Sequence, residues 1–231
     1  MDCHVFTPEG AGTWPAVILY MDAFGIRPNL AGMAQRLATH GYVVVVPNLY
    51  YRSGAFAPFD PKLVVAEGPE RDRFKGMIQS INGTMVMQDT AAVLAMIDTH
   101  PGVRAGRIGV VGYCMGGGFA LSAAGTFPER VAVAASFHGG SLATDKPDSA
   151  HRLAPHIKAR VYVGVAEIDA TFPPEQQSRL ERALSDAGVD YTMEIYKGAK
   201  HGFAVTGHLV YDREASERHW QRLVRLLGET L

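Results

Sequence analysis

Gly109-Val110-Val111-Gly112-Tyr113-Cys114-Met115-Gly116-Gly117-Gly118 is the stretch whose reading decides the fold. An apolar strand enters a Gly-x-Cys-x-Gly turn and leaves it as a run of small residues that opens a helix. Such a turn forces its central residue into a strained backbone and presents the side chain at the top of a sheet. Gly112 and Gly116 lack Cβ, so strand and helix can approach closely around it. The helix N-terminus aims free N–H groups and its positive dipole end at the thiol, which favours a thiolate and an oxyanion. The competing reading is a buried structural cysteine beside a glycine-rich turn. The flanking strand and helix, with an Asp and a His further along in suitable order, favour chemistry.

The bulk composition removes several classes of function. The chain has 231 residues, 47% hydrophobic and 19% charged, with net charge −1. That suits one domain, residues 1–231, with a large core. No basic excess points to nucleic acid and no acidic tail to disorder. No apolar run has membrane-spanning length, and the N-terminus does not read as a signal peptide. The two cysteines are Cys3 and Cys114. If Cys114 must remain a free thiol, a reducing cytoplasm is the simplest setting. No Cys/His cluster has structural-zinc spacing, and no cofactor is expected.

Working outward, Val5-Phe6 reads as a short edge strand. Ala16–Tyr20 and Tyr42–Pro47 read as buried parallel strands. Between them, residues 29–40 have helical periodicity and Gly41 stops the helix. Residues 48–82 read as a long, irregular, lid-like insertion containing Tyr50, Tyr51, Phe56, Phe59, three prolines and the charged patch Glu70-Arg71-Asp72-Arg73. Residues 84–98 form an amphipathic helix. Further strands are expected at Val131–Phe137, Arg160–Val165 and Tyr191–Tyr196, and helices at 117–126, 174–187 and 211–227. Strands alternating with helices predict an α/β protein whose mostly parallel central sheet has helices on both faces, with functional loops at its C-terminal edge.

Cys114, Asp169 and His201 each follow an expected strand, in the chain order of the α/β-hydrolase fold. In that reading His201 manages the thiol proton, Asp169 orients the imidazole, and Cys114 attacks a carbonyl to form a thioester. The Met115 N–H supplies one oxyanion donor and Ala23, after the first core strand, the other. Glu167 is a rival acid and His138, also after a strand, a rival base. His201 is preferred because it follows the last strand. The other histidines, His208 and His219 among them, read as surface or packing residues.

The chain resembles the dienelactone hydrolase family over nearly its whole length. The resemblance rests on Gly112-Tyr113-Cys114-Met115-Gly116-Gly117, Asp22-Ala23-Phe24-Gly25, Pro47-Asn48-Leu49-Tyr50, Glu167-Ile168-Asp169 with Pro173, and Gly198-Ala199-Lys200-His201-Gly202-Phe203. It implies a cofactor-free Cys-His-Asp hydrolase of lactones or small esters, a monomer or weak homo-oligomer. The family places a glutamate beside the cysteine to hold the resting thiol. Here that position is Asp22, one methylene shorter. The family also holds a substrate carboxylate with two arginines. One position reads Ala204-Val205 here; Arg71 or Arg73 is offered for the other, so the clamp is half missing. The chain also lacks a first edge hairpin strand of the family. The expected substrate contacts are Phe24, Tyr50, Arg71, Arg73, Tyr113 and Phe203, with the acyl group between the Tyr50–Phe59 segment and the Phe203 loop. The alternative from another class is an idle α/β-hydrolase scaffold that binds a small ligand or a partner protein. Acyl transfer, with an alcohol or amine intercepting the thioester, is a third.

Overall fold

The computed structural model describes residues 1–231. Seven strands form one sheet: β1 (Cys3–Phe6), β2 (Ala16–Tyr20), β3 (Val43–Pro47), β4 (Ile108–Tyr113), β5 (Val131–Phe137), β6 (Arg160–Ile168) and β7 (Tyr191–Lys200). Their spatial order is β1-β3-β2-β4-β5-β6-β7. β1 pairs antiparallel with β3, and all other pairs are parallel. β2 to β5 are buried along their whole length. They therefore read as unbroken apolar runs with no alternation.

Six α-helices connect them: α1 (Pro28–Ala38), α2 (Pro69–Gln79), α3 (Gly83–Thr99), α4 (Met115–Thr126), α5 (Pro174–Asp186) and α6 (Arg213–Thr230). From β2 through α1 to β3 the chain moves one way across the sheet. From β4 through α4 to β5 it moves the other way. Right-handed crossovers then place α1 and α4 on opposite faces. α6 joins α1, where Arg36 makes a two-pronged pair with Glu217. The order reverses between β2 and β4, so a crevice opens at the C-terminal ends of those two strands. The loop after β2 and the turn after β4 both end there. No helix is long and apolar enough to cross a membrane.

The 48–82 segment differs from the sequence expectation, as do the ends of β6, which runs to Ile168 instead of Val165, and of β7. Residues 48–82 are not irregular throughout, because they contain α2. Pro69 starts that helix and Glu70 and Asp72 sit in its first turn, but none of its residues is buried. Its apolar positions are limited to Phe74, Met77 and Ile78, a stripe too short to stand out from the charged residues around it. β7 runs on to Lys200, since Lys200 still pairs with Ile168 across a register shift. His201 is thus the first residue past the strand.

Candidate active site

Cys114 joins β4 to α4 with φ 56° and ψ −122°. A non-glycine residue held there carries strain on the order of 1–3 kcal/mol, which the surroundings must impose. Its N–H donates to the Phe137 carbonyl at 3.2 Å and lies 3.2 Å from His138 Nδ1. Its carbonyl accepts from Gly117 at 3.1 Å and Gly140 at 3.4 Å. Two glycines make the turn feasible. A Cβ on Gly112 would fall 1.9 Å from the Gly116 carbonyl oxygen, and one on Gly116 would fall 2.6 Å from the Tyr20 and Met21 oxygens. Both are backbone clashes that no rotamer change relieves.

Across the crevice lies the loop after β2. Tyr50 donates its hydroxyl to the Ala23 carbonyl at 3.0 Å and packs its oxygen 3.8 Å from Met115 Sδ. This ties the Ala23 loop to the first residue of α4. The N–H groups of Ala23 and Met115 have no acceptor within the chain.

His201 follows β7, and its Nδ1 lies 2.6 Å from Asp169 Oδ2. Asp169 follows β6, and its other oxygen accepts from the Thr171 N–H at 2.8 Å and the Thr171 hydroxyl at 2.7 Å. Burial alone would favour a neutral imidazole at His201. Its interactions with Cys114 and the Asp169 carboxylate outweigh it and push His201 up to about 10. Burial likewise opposes charge on Asp169, yet its bonds to His201 and Thr171 hold it below the usual carboxylate value. The rival acid Glu167 is exposed and accepts from the Gly198 N–H at 2.7 Å.

The rival base His138 is buried within 5.3 Å of the His201 ring, and burial holds its pKa well below that of a free histidine. Its Nδ1 accepts from the Cys114 amide, so its proton sits on Nε2, which has no partner. With one nitrogen occupied and the other protonated, this ring has no lone pair to offer a thiol.

Asp22 is not turned to the thiol. Its two oxygens take a two-pronged bond from Arg27, at 2.7 Å each. They also accept from the Phe24 N–H at 3.0 Å and meet His208 Nε2 at 3.3 Å. Burial would raise the Asp22 pKa, but His208 and Arg27 bring it down to about 2. The charge of this acid is spent on its own clamp. Arg27 and His208 were missed in the sequence, because the partners of Asp22 lie 5 and 186 residues away and no motif joins them.

Three expected substrate contacts are buried instead. Tyr113 points into the core and meets His219 Nε2 at 2.8 Å. Successive residues at a strand end face opposite sides of the sheet, so Tyr113 points away from Cys114. Phe203 stacks on Tyr196 with ring centroids 4.7 Å apart. Tyr113, Phe203 and Tyr50 each have 0% of their surface exposed, so none can touch a substrate in this conformation. Phe24 keeps partial exposure and packs 4.9 Å from the Phe74 ring of α2. Phe74 meets Phe59 at 5.1 Å, and Phe56 bridges Phe59 at 5.6 Å to Tyr50 at 5.8 Å. The two offered arginines are engaged with glutamates, and Arg73 also caps this cluster. Arg73 pairs with Glu70 at 2.6 Å and lies 4.0 Å over the Phe59 ring; Arg71 lies 3.9 Å from Glu67. No three His, Cys, Asp or Glu side chains converge to hold a metal ion.

Comparison with known proteins gives a consistent picture. A family model described as "Dienelactone hydrolase family" matches residues 1–231. A Synechocystis protein named "Putative carboxymethylenebutenolidase" is 27% identical over 99% of this chain and 91% of its own length. Among solved structures, a "Putative Dienelactone Hydrolase" from Klebsiella pneumoniae superposes with a TM-score of 0.85 at 24% identity, covering 98% of this chain and 92% of that one. A dienelactone hydrolase-like promiscuous phosphotriesterase from metagenomic libraries gives 0.77 at 22% identity, covering 96% and 88%. At these identities the structural matches speak for the fold.

Proposed function

The chain belongs to the dienelactone hydrolase family, and from that premise we propose that it hydrolyses carboxylic esters or lactones with Cys114 as nucleophile. The observation that carries the reading is the strained Cys114 interacting with His201 of the His201–Asp169 pair, beside the unpaired N–H groups of Ala23 and Met115.

With the imidazole raised to about 10, His201 holds the proton at neutral pH. The Cys114 sulfur attacks the substrate carbonyl carbon and forms a C–S bond. The carbonyl oxygen gains charge and accepts from the Ala23 and Met115 N–H groups. On collapse the C–O bond breaks and the departing alcohol takes the proton from His201 Nε2. Water then adds to the thioester carbon as His201 takes its proton, the C–S bond breaks, and the acid leaves with the Cys114 thiolate and the protonated His201 restored. Asp169 holds the Nδ1–H and stabilises the imidazolium. His138 has a positioning role, since its Nδ1 accepts the Cys114 N–H and supports the strained turn. Asp22 anchors the oxyanion loop through Arg27 and His208 and does not hold the thiol.

The substrate class follows from the charges at the crevice. Ala204 and Val205 are buried, and Arg71 and Arg73 face glutamates. That arrangement favours neutral esters over anionic dienelactone. The test is a panel of dienelactone, a neutral lactone and short-chain aryl esters, run with wild type and Cys114→Ala. Cys114-dependent turnover of the neutral members supports the reading. Turnover unchanged in Cys114→Ala, or no turnover by a folded wild type, overturns it and favours the idle scaffold.

A further inference from the structure

A groove leaves the elbow along α4, and no step of the proposed mechanism uses it. It begins as a cavity of about 210 Å³ that touches Met115 and Gly140. Met115 follows Cys114 in the chain, and Gly140 donates its N–H to the Cys114 carbonyl. The groove runs on into a second cavity of about 470 Å³, and Gly83, Ser122, Asp148 and Ser149 line both. Gly118, Ser122 and Thr126 form the floor. Spaced by four, they share one face of α4. Their small side chains leave the space open over a helix rise of about 12 Å. Met87 and Ala91 of α3 form one wall of the larger cavity, and Phe127 and Leu153 another. Lys146, Asp148 and Arg152 stand exposed at the rim.

We infer that this groove takes the apolar alcohol arm of an open-chain ester, which makes the enzyme selective for esters of medium-length alcohols. The inference rests on the hydrolase reading above and names its substrate. The direction follows from the proton path. The leaving oxygen must lie beside the imidazole that protonates it. Gly140, at the groove mouth, is the lining residue set against that ring, since a Cβ there would lie 3.7 Å from His201 Cε1. An ester whose carbonyl oxygen faces Met115 and Ala23 and whose alkoxy oxygen faces His201 sends its alcohol chain past Gly140 into the groove. The chemical class follows from the thioether, aromatic and aliphatic walls of the larger cavity, where the Ser122, Thr126 and Ser149 hydroxyls and the Gln88 amide also line the groove and the charged side chains stand at the rim. A compact lactone carries both arms in one ring and leaves the groove empty.

The experiment compares kcat/KM over two series: acetate esters of alcohols from ethyl to octyl, and ethyl esters of acids of the same lengths. kcat/KM reports the acylation step, in which the alcohol is still bound. The alcohol series is expected to rise about two- to fourfold per methylene, and the acid series to stay flat. Ala91→Trp, a change on the exposed face of α3 in the larger cavity, is expected to lower octyl acetate turnover about tenfold and leave ethyl acetate unchanged. A flat alcohol series, a rise confined to the acid series, or an Ala91→Trp enzyme indifferent to chain length overturns the groove assignment while Cys114-dependent turnover keeps the hydrolase reading. Loss of Cys114-dependent turnover on every ester overturns both.

Discussion

The turn around Cys114 and the clamp around Asp22 sit on neighbouring strands, yet they are built in different ways. The first is made by residues adjacent in sequence. Gly112 and Gly116 flank the cysteine, and the backbone clashes that any side chain would cause there enforce the geometry. The second joins Asp22 and Arg27 to His208, 186 residues beyond Asp22. Local sterics sets the Cys114 turn, whereas long-range electrostatics sets the loop that faces it. A site can thus announce its chemistry in a short motif while its supporting wall stays silent.

The largest effect expected is at the local element. Cys114→Ala should lower kcat/KM by roughly 10⁴-fold or more, with the melting temperature nearly unchanged. A residual rate within tenfold of wild type would remove the turn from the chemistry and end the contrast. Next comes Asp169→Asn, expected to cost about 10²–10⁴-fold in kcat. Its pH profile sharpens the point. His201 is raised to about 10 in part by Asp169, so the alkaline fall in kcat/KM should begin near that pH in wild type and at lower pH in Asp169→Asn. The raised pKa also stabilises the fold most below the ordinary histidine value near 6.5. That contribution fades as pH climbs toward about 10.

The clamp is tested through stability. Asp22→Asn leaves Arg27 beside a neutral partner in a buried setting and should cost about 3 kcal/mol or more in unfolding free energy. In wild type the Asp22 pKa lies near 2, below its unfolded value. Its contribution, about 2 kcal/mol, is present at neutral pH and disappears as pH falls from about 4 toward 2. Urea unfolding at pH 7 and pH 2.5, wild type against Asp22→Asn, measures it. Equal losses for both proteins on acidification would show that the clamp stores no such energy. The smallest effect belongs to the partly exposed Arg73–Glu70 pair on α2. Arg73→Gln should change stability by less than about 1 kcal/mol and leave dienelactone turnover where it was. A large rise in KM for an anionic substrate alone would restore Arg73 as a carboxylate contact.

What could be read from the chain follows the same division. The buried strands β2 to β5 were legible because they are unbroken apolar runs, and their helices because the runs alternate with periodic segments. α2 was not, because it buries no residue fully and its apolar stripe is only Phe74, Met77 and Ile78 among charged neighbours. Asp169 and His201 were legible as strand-end residues in a known chain order, and the structure brings them within 2.6 Å. Tyr113 and Phe203 were misassigned to the substrate because their place in a motif says nothing of which side of the sheet a side chain faces. Both lie wholly in the core.

By itself, then, the sequence determined the family, the α/β layering and the turn that strains Cys114, since these depend on local periodicity and on glycines whose lack of Cβ acts on immediate neighbours. Only the tertiary structure decided that Asp22 serves Arg27 and His208, that His138 has no lone pair to offer, and that small residues on α4 leave a groove open beside the elbow. The physical reason is range. Steric exclusion acts between adjacent residues, whereas ion pairs, burial and cavities depend on which distant segments the fold brings together.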